Sequence, residues 1–128
     1  MGRNTYQTVC TFDCDWPYKG KRVIVLSSTL TELNGIPAKL KNESIEFFHG
    51  NIIKLIETLS AQKQIHKIYV DGGHTIRQFL SNSLVDSMTL SIIPTVLGGG
   101  IPLFSKDTES NPKKFKLLST KSYPNGIV

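Results

Sequence analysis

The sequence predicts an α/β fold with a mixed, mainly parallel central sheet, and three observations lead to it. Runs rich in β-branched residues alternate with segments of helical periodicity, glycine clusters follow two of these runs, and prolines punctuate the last third. Strands that alternate with helices are typical of parallel pairing in the centre of a sheet. Because 128 residues suit one domain, we assign residues 1–128 to a single domain.

The strands are expected where short runs of β-branched and aromatic residues are bounded by Gly, Pro, Asn or Asp. Four such runs lie at 22–27, 45–48, 67–70 and 88–93. Further strands near 103–104 and over 115–122 are expected as antiparallel additions at one edge. The dipeptide Asn125-Gly126 indicates a turn before a return strand.

Two helices are expected between these strands. Asn51 is a good N-cap for a helix that runs to Lys63. Its apolar residues fall on one stripe and are Ile52, Ile53, Ile56 and Leu59. A second helix opens at His74-Thr75, where Ile76, Phe79 and Leu80 keep the helical spacing.

Composition restricts the classes of function. No apolar run approaches the ~20 residues that span a bilayer, and the N-terminus lacks the apolar stretch of a secretory signal, so we expect a cytoplasmic protein without a membrane partner. The net charge is +5, with basic groups at 19–22 and 113–116. Solvated loops explain them best, although a phosphate-rich cofactor would also be attracted. Aromatic residues do not interleave with these lysines, so no nucleic-acid partner is expected.

Cys10 and Cys14 are the only thiols. Their spacing is compatible with one face of a helix. Structural zinc normally takes four ligands, and neither a nearby His nor a second Cys pair completes a set. We therefore expect two reduced thiols and no metal.

The segment from 67 to 80 is the most informative for chemistry, because Gly72-Gly73 stands between an expected strand and an expected helix. Helix N-termini carry unpaired amide donors and favour negative charge, and glycines let a phosphate approach them closely. Thr75 adds a hydroxyl donor. A tight turn with close packing is an equally good explanation of the two glycines.

Three other segments are candidates for binding. Gly2-Arg3-Asn4-Thr5 offers a guanidinium that fits a phosphate bidentately, and Leu26-Ser27-Ser28 leaves the first strand with two hydroxyls. Ordinary capping and turn chemistry remains an alternative for both. Pro94 is followed by Gly98-Gly99-Gly100, a run that is more than a simple turn requires. The G-x-G-x-x-G and Walker patterns, the nucleophile elbow and the H-E-x-x-H zinc helix are absent from the sequence.

The order and spacing of four segments resemble the dihydrofolate reductase superfamily, in particular the branch of the reductase (C-terminal) domain of bifunctional riboflavin-biosynthesis deaminase-reductases. These segments are 2–6, 25–28, 70–76 and 93–100, and together they extend over nearly the whole chain. The resemblance implies a three-layer αβα sandwich around the mixed sheet. It also implies an NADPH-dependent oxidoreductase that transfers hydride to a pteridine- or pyrimidine-like heterocycle.

The resemblance further implies roles for the matched residues. Cofactor phosphates and the adenosine end would be held by Gly2, Arg3, Asn4, Thr5, Leu26, Ser27, Ser28, Gly72, Gly73, His74, Thr75 and Ile76. Arg3 would bind the 2′-phosphate that distinguishes NADPH from NADH. Pro94, Gly98 and Gly99 would lie on the substrate side of the cleft. For His74, an exposed position at the helix start is the alternative.

Complete members of that family begin with a strand, a loop beside the nicotinamide and a helix, and this chain resembles them only from the Gly-Arg segment onward. We therefore expect the first strand and helix, and part of the last strand, to be lacking. No catalytic residue is carried over, and enzymatic activity of this chain alone is doubtful on that expectation. The alternative is a non-catalytic nucleotide-binding module or a remnant of such a reductase. Because relatives often pair, a homodimer is expected; the substrate is not identified by the sequence.

Overall fold

A small parallel sheet is the organising element of the computed structural model, which describes residues 1–104 and 112–128. Strand β1 (Val23–Leu26) pairs with β2 (Ile45–Phe48), so that Val23 lies opposite Ile45 and Leu26 opposite Phe48. Both expected strands are confirmed, the first shortened to its apolar centre. The parallel pairing brings the carboxyl ends of both strands to the same edge.

Four α-helices accompany this sheet in the described part of the chain. They are α1 (Arg3–Cys10), α2 (Glu32–Gly35), α3 (Ile52–Ser60) and α4 (Gly73–Ser81), and a short 3₁₀ helix spans Ala38–Leu40. The expected cap of α3 is confirmed, because the Asn51 side chain accepts a hydrogen bond of 2.7 Å from the Ile53 amide. This helix ends at Ser60 rather than at Lys63. None of the described helices is long and apolar enough to cross a membrane.

The other expected strands do not form in the described residues, so the predictions for 67–70, 88–93, 103–104 and 115–122 are wrong at the level of strands. A strand needs a neighbouring backbone to complete its ladder. Between β1 and the segment 67–71 lies instead a cavity of about 500 Å³, lined on its two sides by Val23 and Ile24 and by Ile68 and Val70. The structure is thus α/β with a small parallel sheet, and the three-layer sandwich is not confirmed.

The last described segment makes a short antiparallel contact. Ile92 and Val128 exchange two backbone hydrogen bonds, of 2.8 and 3.2 Å. The expected turn is confirmed by a bond of 2.9 Å from the Gly126 amide to the Tyr123 carbonyl, with Gly126 at φ +84°. The turn returns the chain to the 88–93 segment for one residue pair rather than for a full strand.

The main core cluster lies between α1 and the sheet. Its buried residues are Tyr6, Val23, Val25, Leu40 and Ile45. Tyr6 is only 1% exposed, and its ring packs edge-on against Trp16 and Phe47, with centroids 6.2 and 5.7 Å away. Its hydroxyl donates a 2.8 Å hydrogen bond to the Gly35 carbonyl. Burial raises the pKa of Tyr6 well above its usual range. Helix α1 is therefore fixed to the sheet through its second turn.

Candidate phosphate-binding site

The N-termini of α1 and α4 meet, and each helix makes room for the other. Gly2 and Gly72 are the two N-cap residues. A Cβ atom added to Gly2 would lie 2.8 Å from Thr75 Oγ1, and one added to Gly72 would overlap Thr5 Oγ1. The same Cβ on Gly72 would be 3.8 Å from the Gly2 nitrogen. Each cap glycine thus packs against a threonine of the other helix, and that threonine stands three residues after the N-cap of its own helix.

This contact brings two sets of helix-start amides together. Neither Gly2 nor Gly72 supplies a side-chain cap, whereas α3 is capped by Asn51. The first amides of an α-helix have no partner within the helix, and the aligned peptide dipoles place partial positive charge there. Two uncapped N-termini side by side form a surface suited to an anion with several oxygens, such as a pyrophosphate.

The site is attached to the carboxyl end of β1. The Met1 nitrogen donates to the Ile24 carbonyl, and the Leu26 amide donates to the Met1 carbonyl, both at 2.8 Å. Gly2 forms a parallel bridge with Leu26. Ligands of open α/β sheets bind beyond the carboxyl ends of the strands, which is where these bonds hold the start of α1.

Arg3 lies at the β1 side of the helix pair. Its Nη1 donates a 3.1 Å hydrogen bond to Thr29 Oγ1, and the guanidinium is otherwise exposed, with a longer contact of 3.4 Å from Nε to Asn4 Oδ1. Thr29 was not expected from the sequence, although it continues the hydroxyl run after β1. Arg3 and Thr29 together place a cation and a hydroxyl next to the start of α1.

The two serines after β1 differ in their surroundings. Ser27 Oγ accepts hydrogen bonds from the amides of Thr29 and Leu30, at 3.1 and 2.9 Å. This is the ordinary turn chemistry that was the alternative for Ser27. Ser28 is exposed, and Leu26 is half-buried. Ser27 therefore orients Thr29, which is the hydrogen-bond partner of Arg3.

The residues at the start of α4 also differ in burial: two of them are buried or half-buried, and one is exposed. Thr75 is buried against Gly2, and Ile76 is half-buried, with its amide bonded to the Gly72 carbonyl at 2.8 Å. His74 is exposed, and its Nε2 lies 3.2 Å from Gln78 Nε2 on the same helix. The alternative of an exposed helix-start residue thus describes His74 in this structure, and its role toward a cofactor stays a prediction.

The residues expected on the substrate side differ in their surroundings. A Cβ on Gly126 would come 3.1 Å from Pro94, so Pro94 packs on the turn before Val128. Gly98 and Gly99 are exposed, with open space around them in the described structure. Pro102, just after the glycines, contacts α4, because its carbonyl accepts a hydrogen bond from Arg77 Nη1 near Gly73. The substrate-side role of these residues stays a prediction.

Asp71 and Tyr18, which were not expected at the site, fix the loop before α4. Asp71 Oδ1 accepts a 2.7 Å bond from the Gly72 amide, and Oδ2 accepts a 2.9 Å bond from the Tyr18 hydroxyl. Burial, and then the bond to Asp71, raises the pKa of Tyr18 to about 12. Tyr18 is 53 residues from Asp71 along the chain, so no local motif indicates the pair.

Metal ligands and thiols give no second site in the part of the chain that the structure describes. There, no group of three or more His, Cys, Asp or Glu residues could hold a metal ion. Cys10 and Cys14 are both free. Because α1 ends at Cys10, the two thiols do not share a helix face.

Comparisons with known proteins find a family model, two relatives in sequence and a solved structure that are similar to this chain. The family model of the RibD C-terminal domain matches residues 3–128. Two uncharacterized proteins of Bacillus subtilis (strain 168) are similar in sequence: YwjB is 27% identical over 127 residues, and YyaP is 31% identical over 108 residues. The crystal structure of a protein from Shewanella sp. PV-4, provisionally assigned to riboflavin biosynthesis, superposes with a TM-score of 0.84 at 37% identity.

The matches differ in how much of each protein they include. They extend over 99% of this chain for YwjB and for the Shewanella protein, and over 84% for YyaP. The chain spans 68% of the length of YwjB, 52% of YyaP and 67% of the Shewanella protein. The resemblance to the riboflavin-biosynthesis reductase branch is thereby confirmed.

Proposed function

This chain belongs to the RibD C-terminal domain family, and on that premise we propose that it is an NADPH-dependent reductase of the riboflavin-biosynthesis type. The acceptor class that fits the family is a pteridine- or pyrimidine-like heterocycle. NADPH would supply the hydride, and the protein would supply binding and orientation. We assign no catalytic residue, and the proposal concerns how this chain holds the cofactor.

The observation that carries the proposal is the contact between the two helix N-termini. A dinucleotide cofactor has a pyrophosphate at its centre, and this group needs several donors within one small surface. The reciprocal packing of Gly2 on Thr75 and of Gly72 on Thr5 leaves no room for a Cβ at either glycine. The donors of Gly73, His74 and Thr75 in α4 and of Arg3, Asn4 and Thr5 in α1 are the groups that would hold the pyrophosphate.

Arg3 supports the choice of NADPH over NADH. Its guanidinium is exposed and is bonded to the neutral Thr29 hydroxyl at 3.1 Å. An arginine can bind a phosphate dianion through two parallel hydrogen bonds, which a neutral ribose hydroxyl cannot match. Arg3 would bind the 2′-phosphate, Thr29 and Ser28 would flank it, and Leu26 would border the adenosine.

Replacing Arg3 with alanine is expected to weaken NADPH binding by about ten- to a hundredfold, because hydrogen bonds to charged groups contribute about 1.5–3 kcal/mol. NADH binding should change little. Isothermal titration of both cofactors into the wild-type chain and the Arg3→Ala variant measures the two affinities.

A matched control is Arg22→Ala, which removes a guanidinium from the other end of β1, where it is bonded to Glu46 and Gln62 at 2.7 Å. This variant should keep the wild-type preference for NADPH. Equal binding of NADPH and NADH by the wild-type chain would contradict the role of Arg3. Absence of binding to both cofactors would contradict the proposed function itself.

A further inference from the structure

We propose that Tyr18 is a positioning residue for the pyrophosphate site, acting through Asp71 on the start of α4. The inference rests on the proposed function, and it adds a residue whose link to the site runs through Asp71. The Tyr18 hydroxyl is bonded to Asp71 Oδ2 at 2.9 Å, and Asp71 Oδ1 is bonded to the Gly72 amide at 2.7 Å. Both oxygens of the carboxylate are therefore engaged.

The need for such a restraint follows from the position of Asp71. It immediately precedes the N-cap of α4, and a carboxylate there is attracted by the partial positive charge of the helix N-terminus. The same charge is what would bind a phosphate, so a free Asp71 side chain would compete with the ligand for the first amides of α4. The hydroxyl of Tyr18 holds the second carboxylate oxygen on the side of the 16–20 loop.

Tyr18 is itself well anchored. Its ring packs edge-on against Trp16 with a centroid distance of 5.2 Å, and Trp16 packs in the same way against Tyr6 of α1 at 6.2 Å. A chain of contacts thus runs from α1 through two aromatic rings to Asp71 and α4. It links the two helices independently of the direct contact between Gly72 and Thr5.

Tyr18→Phe removes the hydroxyl and keeps the ring. We expect about a five- to tenfold loss of affinity for NADPH and for ADP, both of which carry a pyrophosphate, in line with the loss of one hydrogen bond. Affinity for adenosine 2′-monophosphate, which lacks a pyrophosphate and would bind at Arg3, should stay within about twofold of wild type. Isothermal titration with these three ligands measures the pattern.

The double variant Tyr18→Phe/Asp71→Asn distinguishes positioning from a general loss of structure. Asparagine keeps an oxygen for the Gly72 amide but carries no charge that competes with phosphate. The double variant should therefore bind ADP within about twofold of wild type. Tyr69→Phe is the matched control, because it also removes a tyrosine hydroxyl, from a residue that is 79% exposed and precedes Asp71 by two positions in the sequence. The Tyr69→Phe variant should bind all three ligands as wild type does.

Two results would overturn the inference while leaving the proposed function in place. One is wild-type affinity of Tyr18→Phe for ADP. The other is a loss of ADP affinity in Tyr18→Phe that persists in the double variant Tyr18→Phe/Asp71→Asn. A purely structural role of the Tyr18 hydroxyl would give that result. If the wild-type chain binds neither NADPH nor ADP, the inference and the proposed function fail together.

Discussion

Replacing Tyr6 with alanine is expected to lower the free energy of unfolding by about 3–5 kcal/mol, the usual cost of deleting a buried aromatic side chain. Tyr6 is 1% exposed and packs against both Trp16 and Phe47, so the cavity left behind would adjoin α1, the sheet and the 16–20 loop. Folded proteins are stable by only about 5–15 kcal/mol, so this is a large fraction of the total. Denaturant unfolding measures the change.

Two further variants divide the effect of Tyr6 into its parts. Tyr6→Phe removes only the hydrogen bond to the Gly35 carbonyl, and we expect it to cost about 1 kcal/mol. Tyr69→Ala truncates a tyrosine that is 79% exposed, and it should change stability by no more than about 0.5 kcal/mol. A cost for Tyr6→Ala as small as that for Tyr69→Ala would show that the core of the protein lies elsewhere.

Replacing Gly72 with alanine is expected to weaken NADPH binding by about tenfold or more and to destabilise the fold by about 1–3 kcal/mol. Gly72 has φ +93°, which alanine adopts only with strain, and its new Cβ would overlap Thr5 Oγ1. The two helix N-termini would have to separate, and the amides of α1 and α4 could then no longer bind one pyrophosphate together. Titration with NADPH and denaturant unfolding check the two effects.

Gly20→Ala is the control for backbone strain alone. Gly20 also has a positive φ, of +70°, but a Cβ there meets no atom within 4 Å. We expect it to cost about 1 kcal/mol of stability. If Gly72→Ala and Gly20→Ala have the same effect on stability and both retain NADPH affinity, the contact between Gly72 and Thr5 does not organise the site.

The parts of the fold that the sequence predicts well are those set by local chemistry. Residues 45–48 form a strand with the expected bounds, and Asn51 caps α3 as its side chain favours. The segment 67–70 shows why other predictions failed. Its apolar residues indicate burial, but a strand is defined by hydrogen bonds to a neighbouring backbone, and the sequence does not say whether that neighbour is present.

The sequence indicates which segments form the candidate site, but it does not indicate how they pack against each other. Of the two clusters, Gly2-Arg3-Asn4-Thr5 is expected to bind a phosphate through Arg3, and Gly72-Gly73 is expected to let a phosphate approach closely. The sequence leaves capping or turn chemistry as the alternative for the first cluster and a tight turn for the second. In the structure each glycine accommodates a threonine from the other cluster, about 70 residues away along the chain. The pairing of Tyr18 with Asp71 is a similar long-range contact that no periodicity or motif could have indicated.

The measurement that tests the paired helix N-termini most directly is a titration of the ¹⁵N-labelled chain with NADPH, followed by NMR shifts of the backbone amides. We expect the largest shifts at residues 3–5 of α1 and 73–75 of α4. The start of α3 is an internal control, because Asn51 already caps it and its amides should shift little. Shifts that are as large at 52–54 as at the other two helix starts, or that are confined to one of α1 and α4, would contradict a shared pyrophosphate site.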